Sequence, residues 1–242
     1  MNLIISFLIL LYEVSLMKLI LIKKRSLLII FALVLVTLSG AVFTADRVVE
    51  AMAAKRHVPI CCVETQEKKI ALTFDLTENS DTEKTVKSLK GEKATFFVSE
   101  DCFEKNPQNI KKLCDNGYEI QLLEEELKGK TKNEIYDRLA QRIERTALVI
   151  EKNCDKVRFY QNLYDNNSVK AIYSLGLYPV QWSADSSAEY FSAGDIIRAD
   201  EDTDIEGLIT SLKNDGYVFV TVSELFYKDN YRIDVNGVQI SE

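Results

Sequence analysis

The feature that most restricts the fold of this chain is the alternation, after Lys69, of short apolar segments with helical ones. Seven segments have the short, continuous apolar composition that is typical of buried parallel strands. They are residues 70–74, 94–98, 118–122, 157–160, 178–182, 195–198 and 217–220. Repeated strand–helix alternation predicts an α/β domain with a parallel sheet, either open or closed into a barrel.

The segments between these strands carry signals for helix starts. Three of them match the capping-box pattern, in which a hydroxyl and a carboxylate three residues later satisfy free backbone N–H groups. The pairs are Ser80 with Glu83, Thr131 with Glu134, and Thr203 with Glu206. Apolar residues after Thr131 recur at helical spacing, which predicts a helix packed on the sheet. They are Ile135, Leu139, Ile143, Ala147 and Ile150.

Near the N-terminus, residues 27–45 contain no charged side chain and follow three basic residues at 23–25. A span of roughly 20 residues matches the ~30 Å hydrocarbon core of a bilayer. Basic residues ahead of such a span predict a cytoplasmic N-terminus. We therefore predict a cytoplasmic segment at 1–25 and a transmembrane signal-anchor at 26–45. The protein would be a single-pass protein of the cell membrane with its domain on the extracytoplasmic side.

Two alternatives remain open for this region: a buried core helix, and a signal peptide cleaved near the small residues Ser39 and Ala41. Met17 offers an alternative start of translation. Beyond the span we expect a stem at 46–63, a domain at 64–228 and a C-terminal tail at 229–242.

The formal net charge of −7 and the lack of a basic patch in the domain argue against nucleic-acid binding, which needs cations to neutralise phosphates. The five cysteines form no CxxC pair and no metal-type spacing, which disfavours a thiol redox role. We expect them to be buried free thiols, with a bridge between Cys102 and Cys114 as the alternative.

His57 is the only histidine in the chain, and it lies before the predicted domain. Imidazole is the commonest side-chain ligand of such metals as zinc and the commonest general acid near neutral pH. A domain without histidine must find other metal ligands or do no such chemistry.

Five segments in order resemble the polysaccharide deacetylase (NodB-homology) family, nearest its sporulation-associated branch. They are residues 69–75, 93–97, 117–120, 174–182 and 216–225. The resemblance implies a distorted (β/α)7-type barrel with an extracytoplasmic carbohydrate-binding groove. It also implies metal-assisted hydrolysis of N-acetyl groups, in which a cation polarises the carbonyl and activates water. On this pattern Asp75 matches the catalytic base, while the acidic metal ligand that often follows it is Leu76.

The metal and acid positions of the family pattern are changed in this chain. The two metal-binding histidines fall on Leu123 and Leu127, and the catalytic histidine falls on Ala199. An aliphatic side chain has no lone pair to donate to a cation. The adjacent glutamates at 124–126 could supply oxygen ligands, but consecutive side chains diverge, so a solvated acidic loop is the favoured interpretation there.

Several family positions survive. Arg158, Asp185 and Asp75 are the remnants of the catalytic set, and Trp182 and Tyr160 are candidate substrate-binding residues. Four of these five residues also have a plain structural explanation. Asp75 could cap a loop, Arg158 and Asp185 could form an ion pair, and Trp182 could belong to the core.

The resemblance and its departures together predict an inactive deacetylase-like protein that binds or scaffolds envelope polysaccharide or peptidoglycan. We expect neither a bound metal nor a cofactor, and the sequence indicates no particular protein partner. The alternative is an active hydrolase that uses a rearranged carboxylate site of Asp75, Asp185 and Asp200. In that case the three carboxylates should converge within ~5 Å of one another, as ligands of one metal do.

Overall fold

The computed structural model describes residues 57–200 and 202–242. The strands are β1 (Cys62–Val63), β2 (Lys69–Leu76), β3 (Thr95–Val98), β4 (Glu119–Glu124), β5 (Lys156–Phe159), β6 (Tyr178–Val180), β7 (Ala184–Asp185), β8 (Ile196–Ala199), β9 (Val218–Val220), β10 (Tyr231–Ile233) and β11 (Val238–Ser241). The helices are α1 (Thr82–Leu89), α2 (Glu100–Lys105), α3 (Pro107–Asp115), α4 (Lys132–Ile150), α5 (Asn166–Ser174), α6 (Ile205–Asn214) and α7 (Val222–Leu225).

The main sheet has eight strands and is parallel throughout. Its order is β6-β5-β4-β3-β2-β8-β7, and β9 pairs with the first half of β2. All seven predicted strands are confirmed. The sequence did not predict β7, because a strand of two residues is too short to show a pattern.

The sheet is a curled half-barrel, an open form of the distorted (β/α)7-type barrel that the resemblance implied. Within the described residues, no ladder joins its edge strands β6 and β7. Ile60 forms a parallel bridge with Val180 of β6, and Cys62 forms an antiparallel bridge with Asp195 just before β8. The chain before β2 therefore contacts both sides of the opening.

A second, small sheet is built from the two ends of the domain. Its order is β1-β11-β10, with β1 and β11 parallel and β10 and β11 antiparallel. Ile60 and Val63 are buried in the domain core. Residues 60–63, expected in the stem, and residues 231–241, expected in the tail, are thus part of the domain, which extends beyond the predicted limits of 64 and 228.

Two apolar clusters lie on opposite faces of the main sheet. The larger contains Leu122 of β4 together with residues of the covering helices, such as Leu139 of α4. The smaller lies inside the curl and contains Leu123 of β4 and Phe97 of β3. Neighbouring residues of one strand thus serve different cores, as the alternation of side chains along a strand requires.

One of the three predicted capping boxes is confirmed. Thr131 begins α4 with its side chain and that of Glu134 bonded reciprocally to the backbone. The other two helices begin one residue later than predicted: Asp81 accepts from the Lys84 N–H, and Asp204 accepts from the Gly207 N–H, each at 3.0 Å. Aspartate is at least as good an N-cap as serine or threonine, so it competes successfully when it comes next.

The five cysteines all lie in the described residues, and none is joined in a disulfide. Cys102, Cys114 and Cys154 are buried, whereas Cys61 and Cys62 are half-buried. Burial raises the pKa of the Cys154 thiol to about 12, so this thiol is neutral and inert at physiological pH.

The predicted signal-anchor at 26–45 lies outside the described residues. Each helix in the part of the chain that the structure describes is too short or too polar to span a bilayer.

Candidate functional site

The surviving family residues gather at the carboxyl ends of the central strands, where parallel α/β folds place their sites. Asp75 lies near the end of β2, and Ala199 ends the neighbouring strand β8. A cavity of about 310 Å³ opens beside them. Its polar lining consists of Asp75, Thr77, Ser80, Thr85, Tyr160, Gln161, Arg198 and Asp200.

Asp75 is held by a buried arginine. Its Oδ1 accepts a hydrogen bond of 2.9 Å from Nη1 of Arg158, which reaches across from β5. The same Nη1 donates to Thr73 Oγ1 at 2.8 Å, and Thr73 in turn donates to the Ile197 carbonyl. Three strands are thereby joined inside the curl, so Asp75 does not merely cap a loop.

The Arg158 guanidinium is completely buried. It lies 3.9 Å from the centre of the Phe97 ring and 5.5 Å from the Trp182 ring. Burial lowers the pKa of Arg158, while the charge of Asp75 acts in the opposite direction. A guanidinium nevertheless stays charged in proteins, so the pair carries one positive and one negative charge.

Asp185 does not pair with Arg158, which corrects that part of the sequence interpretation. Its Oδ1 instead accepts a hydrogen bond from Arg198 Nε at 2.9 Å and lies 2.8 Å from Arg198 Nη2. Arg198 is on β8, the strand next to β7, so it is nearer to Asp185 in register. Asp200 lies 3.6 Å from the same Nη2.

Sequence reasoning did not identify Arg198 as a site residue. The available signal was its position: an arginine in the short apolar strand β8, between the buried residues Ile197 and Ala199. Its guanidinium lies 4.3 Å from the centre of the Trp182 ring. Trp182 is therefore in reach of two guanidinium groups, an arrangement that cation–π attraction stabilises.

The two candidate substrate-binding aromatics differ in position. Tyr160 lines the cavity and packs against the inner apolar cluster. Trp182 packs against the same cluster but does not line the cavity, so its ring contributes to the core, as the alternative interpretation expected. The turn after Tyr160 places Gln161 and Asn162 in the left-handed region, at φ of 50° and 59°.

The residues at the family's metal positions do not fit a metal. Leu123 belongs to the inner apolar cluster and Leu127 to the outer one, so their side chains face different cores. Both are fully buried. Ala199, at the position that the resemblance assigns to the general acid, has no titratable group.

The acidic residues offer no replacement. Glu124 is buried rather than solvated, and it pairs with Arg138 at 2.7 Å and Arg142 at 3.3 Å on the helix side of the sheet. Asp75 and Asp185 are each bound to a different arginine. Among residues 57–200 and 202–242, no group of three or more His, Cys, Asp or Glu side chains is placed to hold a metal ion. The geometry required by a rearranged carboxylate site is absent from that part of the chain.

Comparison with known proteins supports the resemblance. The family model for polysaccharide deacetylases matches residues 63–180, a range that includes the positions of Asp75, Leu123 and Arg158. A search of curated protein sequences finds no match.

Solved structures share the fold. A family 4 carbohydrate esterase from Bacillus anthracis superposes with a TM-score of 0.64 at 22% identity, over 74% of this chain and 91% of that chain. A family 4 pseudoenzyme from the same species gives 0.62 at 18% identity, over 75% and 70% of the two chains. A mutant of that pseudoenzyme with restored activity gives 0.62 at 19% identity, over 75% and 72%. Identities this low establish the fold alone.

Proposed function

This chain is a member of the polysaccharide deacetylase (NodB-homology) family, and we propose that it binds envelope glycan without deacetylating it. The proposal depends mainly on which residues occupy the positions where the family has its metal ligands and its general acid. Leu123, Leu127 and Ala199 stand at the two metal positions and the acid position. Loss of the catalytic activity would account for the replacement of all three residues at once.

The lost groups are those on which the family's reaction depends. The metal would polarise the acetyl carbonyl and lower the pKa of a bound water. A positioned acid or base contributes typically 10²–10⁴-fold in rate. Asp75 is the one remaining member of this set, and its Oδ1 is bound to Arg158. A single tethered carboxylate does not replace a Lewis acid and a proton donor.

The cavity nevertheless has a lining that suits a sugar. Thr77 and Ser80, which carry hydroxyl groups, Gln161, which carries an amide, and the aromatic Tyr160 all line it. Such a mixture of hydrogen-bonding groups and an aromatic surface is typical of small-molecule sites. This lining supports retention of glycan binding after loss of the chemistry.

We also propose that the domain is held at the outer face of the cell membrane by residues 26–45. The supporting observation is the uncharged segment of membrane-spanning length that follows three basic residues. Envelope polysaccharide or peptidoglycan would then be the glycan within reach.

An acetate-release assay tests the loss of activity. The full chain, purified in mild detergent, should release no acetate from N-acetylated chitooligomers or peptidoglycan, with or without added zinc, cobalt or nickel. Metal analysis after dialysis should find no stoichiometric transition metal. Acetate release that requires both added metal and Asp75, judged against an Asp75→Asn control, would contradict the proposal and support the active hydrolase.

The membrane proposal is tested separately. Full-length protein should sediment with membranes, and a protease added outside intact cells with a permeable wall should digest the domain. Recovery of the full-length protein in the soluble cytoplasmic fraction would contradict this assignment.

A further inference from the structure

Asp75 has one carboxylate oxygen engaged and one available. Oδ1 accepts from Arg158 Nη1, whereas Oδ2 has no hydrogen-bond donor among the described residues. The Asp75 side chain is 13% exposed, and that exposure is to the cavity at the strand ends. Water can reach this oxygen, because it is not fully buried. A ligand with a cationic donor would replace that water with a charge-assisted hydrogen bond.

The charged side chains that line the cavity carry one negative charge in excess. Two are carboxylates, those of Asp75 and Asp200, and one is the Arg198 guanidinium. Arg158 is completely buried and turned toward Asp75 and Thr73. Arg198 is held by Asp185 and lies close to Asp200. An incoming cation therefore meets two carboxylates and one guanidinium in the cavity wall, and the second guanidinium, that of Arg158, is buried against Asp75.

The rest of the lining indicates what kind of cation fits. The hydroxyl groups of Thr77 and Ser80 and the amide of Gln161 can exchange hydrogen bonds with ring hydroxyls, and the Tyr160 ring can cover a sugar face. About 310 Å³ lies at the small end of ligand-binding cavities, which suits a single sugar unit rather than a long segment.

An acetamido group is poorly matched to this site. It is neutral, so it brings no charge to Asp75 Oδ2. Trp182, a candidate surface for its methyl group, packs against the inner apolar cluster and does not line the cavity. The acetamido N–H would give Asp75 Oδ2 a hydrogen bond from a neutral donor, which is weaker than one from an ammonium group.

We infer that the cavity binds the ammonium group of de-N-acetylated hexosamine units, with Asp75 Oδ2 as its partner, in preference to N-acetylated units. The protein would then recognise the product of deacetylation instead of forming it. This inference rests on the proposed function, since it names the glycan that the same cavity takes.

Calorimetric titration of the full chain in detergent tests the inference. The probes are the glucosamine tetramer and the N-acetylglucosamine tetramer at about pH 6, where a sugar amine is protonated, as α-amino groups with pKa near 8 are. We expect the glucosamine tetramer to bind at least about tenfold more tightly, because a charge-assisted hydrogen bond is gained. Asp75→Asn should remove this preference.

Asp202→Asn is the matched control, because it removes the same charge from an exposed residue that does not line the cavity. It should leave the preference unchanged. An equal loss from both variants would overturn the inference in favour of non-specific attraction. The unmodified protein supplies a second measurement that needs no variant: affinity for the glucosamine tetramer should fall as pH rises and the sugar amine loses its proton. A pH-independent affinity would overturn the assignment of an ammonium ligand.

The outcomes separate the inference from the function on which it rests. Equal or tighter binding of the N-acetylated tetramer would refute the inference and leave glycan binding in place. Binding of neither tetramer, and of no peptidoglycan fragment, would refute the proposed function itself.

Discussion

Arg158 and Arg142 are both buried, one inside the curl and the other on the helix side of the sheet, and each has a carboxylate partner. Arg158 pairs with Asp75, whose second oxygen opens on the cavity. Arg142 pairs with Glu124, whose side chain is 0% exposed and is also bound by Arg138. Burial lowers the pKa of both arginines, with the carboxylate partner opposing that shift.

The two pairs therefore serve different purposes. The outer pair, Arg142 with Glu124, is buried beneath α4 and is not accessible to a ligand. Arg142 also donates a hydrogen bond of 2.9 Å to the Val98 carbonyl. The inner pair, Arg158 with Asp75, keeps one Asp75 oxygen available to a ligand. Arg158 also donates a hydrogen bond to Thr73 and packs against the Phe97 ring. Full enclosure indicates a role in stability, whereas partial enclosure beside a cavity indicates a role in binding.

The largest effect is expected from breaking the outer pair. Glu124→Gln leaves Arg142 buried without a counter-charge, and removal of one partner of a buried pair costs about 3–5 kcal/mol. Urea denaturation should show this loss in the free energy of unfolding. Glu125→Gln, the exposed neighbour, should change it by less than about 0.5 kcal/mol. A loss below about 1 kcal/mol for Glu124→Gln would show that the outer pair is not structural.

Breaking the inner pair should cost less. Asp75 is 13% exposed and pairs with one arginine, whereas Glu124 is fully buried and pairs with two. Arg158 also keeps its hydrogen bond to Thr73 and its contact with Phe97 in the Asp75→Asn variant. We expect a loss of about 1–3 kcal/mol, the usual penalty for weakening one buried charged hydrogen bond. The same denaturation series measures it, with Asp202→Asn as the control. If Asp75→Asn proved as costly as Glu124→Gln, the distinction between a stability pair and a binding pair would fail.

The carboxylate of Asp165 accepts hydrogen bonds from the backbone and is not paired with an arginine. Its replacement therefore measures what a helix cap contributes to stability. Asp165 caps α5: Oδ1 accepts from the Ser168 N–H and Oδ2 from the Gly129 N–H, both at 2.8 Å. Partial burial acts to raise the pKa of Asp165, but these donors outweigh it and lower the pKa below its ordinary value. Asp165→Ala should cost about 1 kcal/mol near pH 7.

The sign of the pH dependence follows from the lowered pKa. The stabilisation from Asp165 is complete above its unfolded-state pKa of about 3.9 and is lost as pH falls through the lower folded-state pKa. Thermal melts of wild type and Asp165→Ala should therefore converge as the pH falls below the ordinary pKa range of aspartate. Asp165→Asn keeps a side-chain acceptor and should lose less at neutral pH. A difference for Asp165→Ala that persists unchanged at low pH would contradict this account.

Much of the fold and part of the site could be predicted because they depend on local patterns. Short apolar runs located all seven predicted strands, and the Thr131 capping box located the start of α4. Motif positions identified Asp75 and the loss of ligands at Leu123 and Leu127. None of these conclusions requires knowing which residues meet in space.

Other features depended on packing between distant segments. The carboxylate partners of Arg158 and Arg198 follow from strand order and register, which brought Asp185 next to β8 instead of β5. Glu124 is buried because α4 packs over the end of β4 and places Arg138 and Arg142 beside its carboxylate. The small sheet pairs β1 with β11, two strands that lie near opposite ends of the domain's sequence.

The sequence by itself determined the α/β class, the family and the absence of histidine from the site, because composition and periodicity are properties of the chain alone. The tertiary structure decided that the sheet stays open, which carboxylate each arginine holds, and that one oxygen of Asp75 faces the cavity. Charge pairing acts over a few ångströms, and only the folded chain sets distances between residues that lie more than eighty positions apart, as Asp75 and Arg158 do.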